Sequence, residues 1–330
     1  MSEENQIHEI RSEHSRVVVA SHGGVVMRWV IDGEDGEYDV LDGYRDAAEL
    51  HHGDGSRHSL LAPWSNRIRQ ARYSWNGRDF DLGPDNNGVR EALHGLVENA
   101  EFSVDDIAVS GDSIRLSTVV DDDNYPHPVR VSVEYHVGSG VDGEALRMRL
   151  ECTNLGDQPT PIGLGWHPYV RYDGGRDGAT LTIKARTRVV TDEALIPLPA
   201  DAAFTAIDSY DLDTSTATID LTEALDTAYT DLTVCPGERP TVMASVNHPS
   251  GARTTITAAV SQAPARGVGI WHVFTGEALE SRQGESVAVE FCQFMTDAFN
   301  RAECQPFLAV APGSSRVMEQ IITHHPAAHA

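Results

Sequence analysis

VRVSVEYHVGSGVDGEALRMRLEC, residues 129–152, alternates apolar and polar side chains on both sides of a glycine-rich turn. Val129, Val131, Val133, Tyr135 and Val137 share one face of an extended chain, and Leu146, Met148, Leu150 and Cys152 repeat the pattern after the turn. A strand sends successive side chains to opposite faces, so this period of two predicts a long antiparallel hairpin with one buried face. Three shorter stretches read the same way. RYSWNGRDFDL (72–82) sets Asn76-Gly77 between Tyr73, Trp75 and Phe80, a tight turn whose central residues need positive φ. ASHGGVVMRW (20–29) and VSGDSIRL (109–116) are two more hairpins. Strands joined by Gly, Asp and Asn turns, with no amphipathic helix between them, argue for an all-β antiparallel sandwich or barrel.

The 330 residues fit one large β unit, and no internal repeat or linker divides them. We assign a polar N-terminal segment over 1–15, one β domain over 16–323, and a frayed tail over 324–330. The acidic, threonine-rich stretch from Asp208 to Asp220 reads as a surface excursion. No apolar run approaches the roughly 20 residues needed to cross a bilayer. The N-terminus is charged and has no apolar signal core, and the four cysteines show no paired or metal-type spacing. A reducing cytoplasm fits these features. A net charge of −25 repels polyanions, which argues against nucleic acid and anionic membrane surfaces as partners. Oligomeric state is not legible.

Two stretches carry ionisable groups among small residues. In GLGWHPYV (163–170), Ile162, Leu164 and Trp166 take one face while Gly163, Gly165 and His167 take the other. Glycines inside a strand mark a close approach by another group, either a ligand or a packed neighbour. In SVAVEFCQF (286–294), Glu290 lies between Ala288 and Cys292 on the face opposite Val287, Val289 and Phe291. For each the alternatives are a hydrogen-bonded core histidine and a glutamate on a solvated edge. Two loops add Asn66-Arg67, before a strand, and His94, before a glycine. His51-His52 sits in a polar loop and, like His324-His325, has no partner at metal-ligand spacing.

In chain order, PWSNRI (63–68), ALHGLV (92–97), TNLGDQPTPIGLGWHPYV (153–170), LDTAYTDL (225–232), VEFCQFMTDAFN (289–300) and LAVAPGSSRVMEQIIT (308–323) resemble the motifs of the aldose 1-epimerase (galactose mutarotase) family. The resemblance implies a large antiparallel β-supersandwich, interconversion of the α and β anomers of a free aldohexose, a small-molecule sugar substrate and no cofactor or metal. It assigns His167 as general acid and Glu290 as general base. Arg67, His94 and Asp226 match residues that hold sugar hydroxyls and the ring oxygen; Asn66 lies in the same motif as Arg67, and His94 is a second candidate for the ring-oxygen proton.

Chemistry agrees with one acid and one base: a base takes the C1 hydroxyl proton, an acid protonates the ring oxygen, and closure on the other face reverses both transfers. A carboxylate near His167 is expected to raise its protonated fraction. Trp64, Trp166 and Tyr169 are candidates for an apolar floor under the sugar, or for core. Two other readings stand beside this one. A hexose-6-phosphate epimerase would use Arg69, Arg72 and Arg90 as a phosphate clamp, and a non-catalytic sugar-binding protein would keep the fold without the chemistry.

Overall fold

The computed structural model describes residues 6–327 except 34–35, 86–87, 141–142, 236, 238 and 261–264. The hairpin forms in the register that its pattern demands: Val129 pairs with Asn154, Val131 with Cys152, Val133 with Leu150, Tyr135 with Met148 and Val137 with Leu146. All nine alternating apolar side chains are at most 1% exposed. Full burial of such a side chain contributes about 1.5–3 kcal/mol, so this ribbon anchors the core. Part of its predicted turn, residues 141–142, lies outside the described residues. Asn76 and Gly77 have φ of 49° and 75° between strands Arg72–Trp75 and Arg78–Asp81, as a tight hairpin requires.

The two hairpin strands, Tyr125–Ser139 and Glu144–Asn154, belong to a ten-stranded sheet. A second, eight-stranded sheet packs against it. Along that sheet lie Ala185–Val189, Asp226–Leu232, Val268–Phe274, Ser286–Phe294, Gly165–Trp166 and Leu60–Leu61, with Tyr169–Arg171 also paired to Ser286–Phe294. Every pairing between the described strands is antiparallel. The eight-stranded sheet turns Trp166, Trp271 and Phe291, each no more than 2% exposed, toward the inter-sheet core. Trp166 meets Tyr135 of the hairpin there at 6.4 Å between ring centroids. Its other face is left for polar side chains.

Four local expectations need correction. The Asp208–Asp220 stretch is no excursion, because Tyr210–Asp211 and Thr216–Asp220 form the outer strands of the ten-stranded sheet. The first strand, Ile7–Arg11, lies inside the segment assigned to 1–15, and the last, Ser315–His325, takes His324 and His325 out of the supposed tail. His51 and His52 end a short helix, Ala47–His52, capped by the Asp46 carboxylate on the backbone N–H groups of Ala48 and Glu49.

Candidate active site

Three neighbouring strands build the floor of the site. Glu290 is directly opposite His272 in the register of Ser286–Phe294 with Val268–Phe274, and Ala228 is opposite His272 on the other side. Asp226, two residues before Ala228, therefore rises from the same face, diagonally beside His272. Its carboxylate Oδ1 lies 2.6 Å from His272 Nε2, with 35% of the Asp226 side chain still exposed. Asp226 thus sits at the start of the Asp226–Leu232 strand, paired with Phe274.

His167 arrives at the same place from the Gly165–Trp166 strand. Its Nε2 is 3.3 Å from Glu290 Oε1, and the two side chains are 6% and 2% exposed. The neighbours of the glycines are protein side chains. A Cβ on Gly165 would meet Leu61, Cys292 and Ser65 at about 3 Å, and one on Gly163 would meet Phe294 at 2.8 Å. Cys292 Sγ is also 4.0 Å from Glu290 Oε2. Tyr169 stacks on the His167 ring at 5.1 Å and 14°, and its hydroxyl donates to the Gly55 carbonyl at 2.8 Å. Arg57, fully buried and 2.6 Å from Asp42, lies over the Tyr169 ring at 4.9 Å. The imidazole plane is thus held by packing that runs from Tyr169 through Arg57 to Asp42.

Two loops close the other side. Ala62 and Gly95 form a parallel bridge, and Gly95 has φ of 87°, with a Cβ position 2.1 Å from the Ala62 carbonyl oxygen. Only glycine permits that approach. It sets the loops in reciprocal contact: His94 N–H donates to the Asn66 carbonyl at 3.0 Å, and Asn66 N–H donates to His94 Nδ1 at 3.3 Å. With Nδ1 accepting, the His94 ring proton sits on Nε2. Both residues have positive φ, 56° for Asn66 and 61° for His94, a conformation that non-glycine residues hold only under surrounding constraint. The Asn66 side-chain oxygen accepts from Arg67 N–H at 2.8 Å and from its guanidinium at 3.4 Å. Asn66 therefore orients Arg67, which also reaches Glu91 at 3.3 Å. His94 meets His167 edge to face at 5.3 Å.

Electrostatics divides these groups. Burial pushes Glu290 up to about 7, opposed by the charges of His272 and Arg67. Burial pulls His167 down to about 3, and the neighbouring His272 charge adds to that pull. His94 falls well below its ordinary value through burial and the charges of His167, Arg67 and His272. The expectation that Glu290 keeps His167 protonated is thus corrected, because desolvation outweighs the contact. His272 behaves oppositely. Burial alone would lower it, but the bond to Asp226 and the charges of Glu290 and Asp226 outweigh that cost and raise it.

Arg67, His94, His167, Asp226 and Glu290 lie within electrostatic reach of one another. His272 was missed, although GVGIWHVF (267–274) carries the same signal as the His167 stretch: one ionisable ring among apolar strand residues. The aromatic floor does not form from the residues named. Trp64 and Trp166 are core, with Trp64 Nε1 donating to the Ala92 carbonyl at 2.6 Å and Trp166 wholly buried. Nor is a phosphate clamp free: Arg69 lies 3.2 Å from Asp192, Arg72 3.1 Å from Asp81, and Arg90 also pairs with Asp81. Among the described residues no group of three or more His, Cys, Asp or Glu side chains is arranged to hold a metal ion, and no helix is long and apolar enough to cross a membrane.

Residues 6–323 match the aldose 1-epimerase family, and the chain belongs to it. Its fold is that of a GalM/aldose epimerase homologue from C. elegans, with TM-score 0.80, 18% identity and coverage of 98% of this chain and 100% of that one. A putative aldose 1-epimerase from Escherichia coli K12 is similar at TM-score 0.75 and 19% identity, covering 98% and 99%. A galactose 1-epimerase from Lactobacillus acidophilus gives TM-score 0.74 at 13% identity, covering 97% and 94%. The uncharacterized protein YphB of Escherichia coli is 32% identical over 109 residues, 33% of this chain and 35% of that protein. The match spans about a third of that curated relative.

Proposed function

We propose that this protein interconverts the α and β anomers of a free aldohexose. The observation that carries the reading is the Glu290–His167 contact at 3.3 Å on the same sheet face as the Asp226–His272 pair. A carboxyl group raised to about 7 by burial is matched to general-base work near neutrality, being ionised often enough yet basic enough to take a hydroxyl proton. Arg67 presents a planar fork of donors for sugar oxygens, the exposed part of Asp226 accepts from hydroxyls, and the neutral His94 offers its Nε2–H to the ring oxygen. Glu290 takes the C1 hydroxyl proton as a second proton reaches the ring oxygen. The C1–O5 bond opens, the aldehyde rotates, and reclosure returns both protons. The free cysteines support a reducing, cytoplasmic location.

Polarimetry of freshly dissolved α-glucose, α-galactose and glucose 6-phosphate, with the uncatalysed rate subtracted, tests the proposal. Acceleration with a free hexose is the expected result. Acceleration confined to the phosphate ester would move the assignment to a sugar phosphate, and none with any aldose would reject it.

A further inference from the structure

A cavity of about 270 Å³ lies between the two sheets. It opens where two strands of the larger sheet part. Arg253–Ala259 is paired with Ser315–His325 as far as Ala258 and Gln320; beyond that point Ser315–His325 keeps only Glu144–Asn154 as a neighbour among the described strands. The gap is walled by Pro240, Ala259, Val260 and Val268, and by Phe291 and Phe294 of the smaller sheet. Glu290 precedes Phe291 and projects from the opposite face of the same strand, so the cavity and the sugar site are separate.

One charge borders this apolar wall without a counter-ion. Arg57, Arg282 and Arg301, with side chains no more than 8% exposed, each meet a carboxylate: Asp42 for the first, Asp42 and Glu49 for the second, Glu303 for the third. Arg316, on the cavity wall, meets none among the described residues. Its guanidinium lies 5.1 Å from the centre of the Phe294 ring and donates to the Phe307 carbonyl, while its buried Nε has no hydrogen-bond partner. Arg239, also at the cavity but 77% exposed, is already paired with Glu319 at 2.9 Å. A cation held among apolar side chains is costly unless an anion compensates it. Burial lowers Arg316 to about 10, and no carboxylate offsets that pull.

We propose that this cavity binds a monocarboxylate with an apolar body, of the medium-chain fatty acid class, whose carboxylate pairs with Arg316 and whose hydrocarbon lies against Val260, Val268, Phe291 and Phe294. Ligand pockets run from about 300 to 1,000 Å³, and this one is at their small end, which suits a medium chain and not a long one. A planar guanidinium matches a carboxylate, whereas the apolar wall would strip the remaining oxygens of a phosphate of their water. The site is independent of the sugar chemistry.

Titration calorimetry of the whole protein with octanoate tests the assignment. One octanoate per chain should bind, and 1-octanol should bind about 10-fold or more weakly, because the alcohol lacks the charge-assisted bonds. Arg316→Met should weaken octanoate by about 10- to 100-fold and leave octanol nearly unchanged. Without ligand, the urea midpoint of that variant should hold or rise, because no counter-ion is stranded. Val260→Trp, which fills the cavity, should abolish octanoate binding, and saturating glucose or galactose should leave octanoate affinity unaltered in the wild type. No saturable octanoate binding, equal affinity for octanol, or undiminished octanoate binding by Arg316→Met overturns the proposal. So does displacement by the sugar, which would put octanoate in the sugar site, or a large fall in the Arg316→Met midpoint, which would make Arg316 a structural residue. Each of these results leaves the anomerase reading standing, since mutarotation is measured separately.

Discussion

Glu290 is a charge placed where charge is expensive. Its carboxyl is 1% exposed and is pushed from an ordinary 4.5 up to about 7 by burial, so folding holds a proton that the unfolded chain releases over that interval. The sign follows: this group costs nothing below about pH 4.5, and its penalty grows as pH rises through 7. A shift of that size corresponds to about 3 kcal/mol. Glu290→Gln should therefore stabilise the protein by up to about 3 kcal/mol at pH 8 and by little at pH 5, read from urea midpoints at the two values. Mutarotation by the same variant should fall by about 10² to 10⁴-fold in kcat with sugar affinity nearly retained. A variant that gains stability and keeps its rate would remove Glu290 from the base position.

At the scale of elements, the site depends on how closely two loops can be pressed together. Gly95 combines φ of 87° with a backbone contact that a methyl group cannot share, because its Cβ would lie 2.1 Å from the Ala62 oxygen and 2.4 Å from the Ala62 carbonyl carbon. Gly77 has a similar φ of 75° but nothing within 4 Å of its Cβ position. Gly77→Ala should cost only the conformational term, about 1–2 kcal/mol. Gly95→Ala should cost more than about 2 kcal/mol, since the clash adds to that term, and should also lower kcat by displacing His94 and the Asn66-Arg67 loop. Denaturation midpoints and rates of the two variants check this contrast; equal costs and an unchanged rate in Gly95→Ala would contradict it.

For the molecule as a whole, buried neutral histidines set the acid side of stability. Burial lowers His58, His248 and His324 to about 4 and His167 to about 3, and His94 falls well below its ordinary value. The unfolded chain takes up protons at these rings below about pH 6.5 while the folded chain does not. Their contribution is therefore complete above that pH and is lost as pH falls toward 4. Glu290 opposes the trend, as does His272, whose raised pKa contributes most below 6.5, but the lowered rings outnumber them. Urea midpoints should decline from about pH 6.5 to 5, before the surface carboxylates titrate. A midpoint flat over that range would show that these histidines are protonated in the folded protein.

The period-two pattern of residues 129–152 was enough to specify the two strands and their buried face, because alternation is a property of each strand by itself. The face that carries His167 and Glu290 could be read for the same reason, and the motif order brought in Arg67, His94 and Asp226. What sequence did not reveal was the state of these groups. Asp226–Leu232, Val268–Phe274 and Ser286–Phe294 are separated along the chain, and nothing in their order says that they lie side by side with Asp226, His272 and Glu290 on one surface. The same holds for Thr216–Asp220, which pairs with Thr180–Ile183, and for Arg69, whose partner Asp192 is remote in sequence. Alternation is encoded locally, but desolvation and ion pairing depend on neighbours that only the assembled sheets supply; tertiary structure therefore decided that burial lowers His167 and His94 while the bond to Asp226 raises His272.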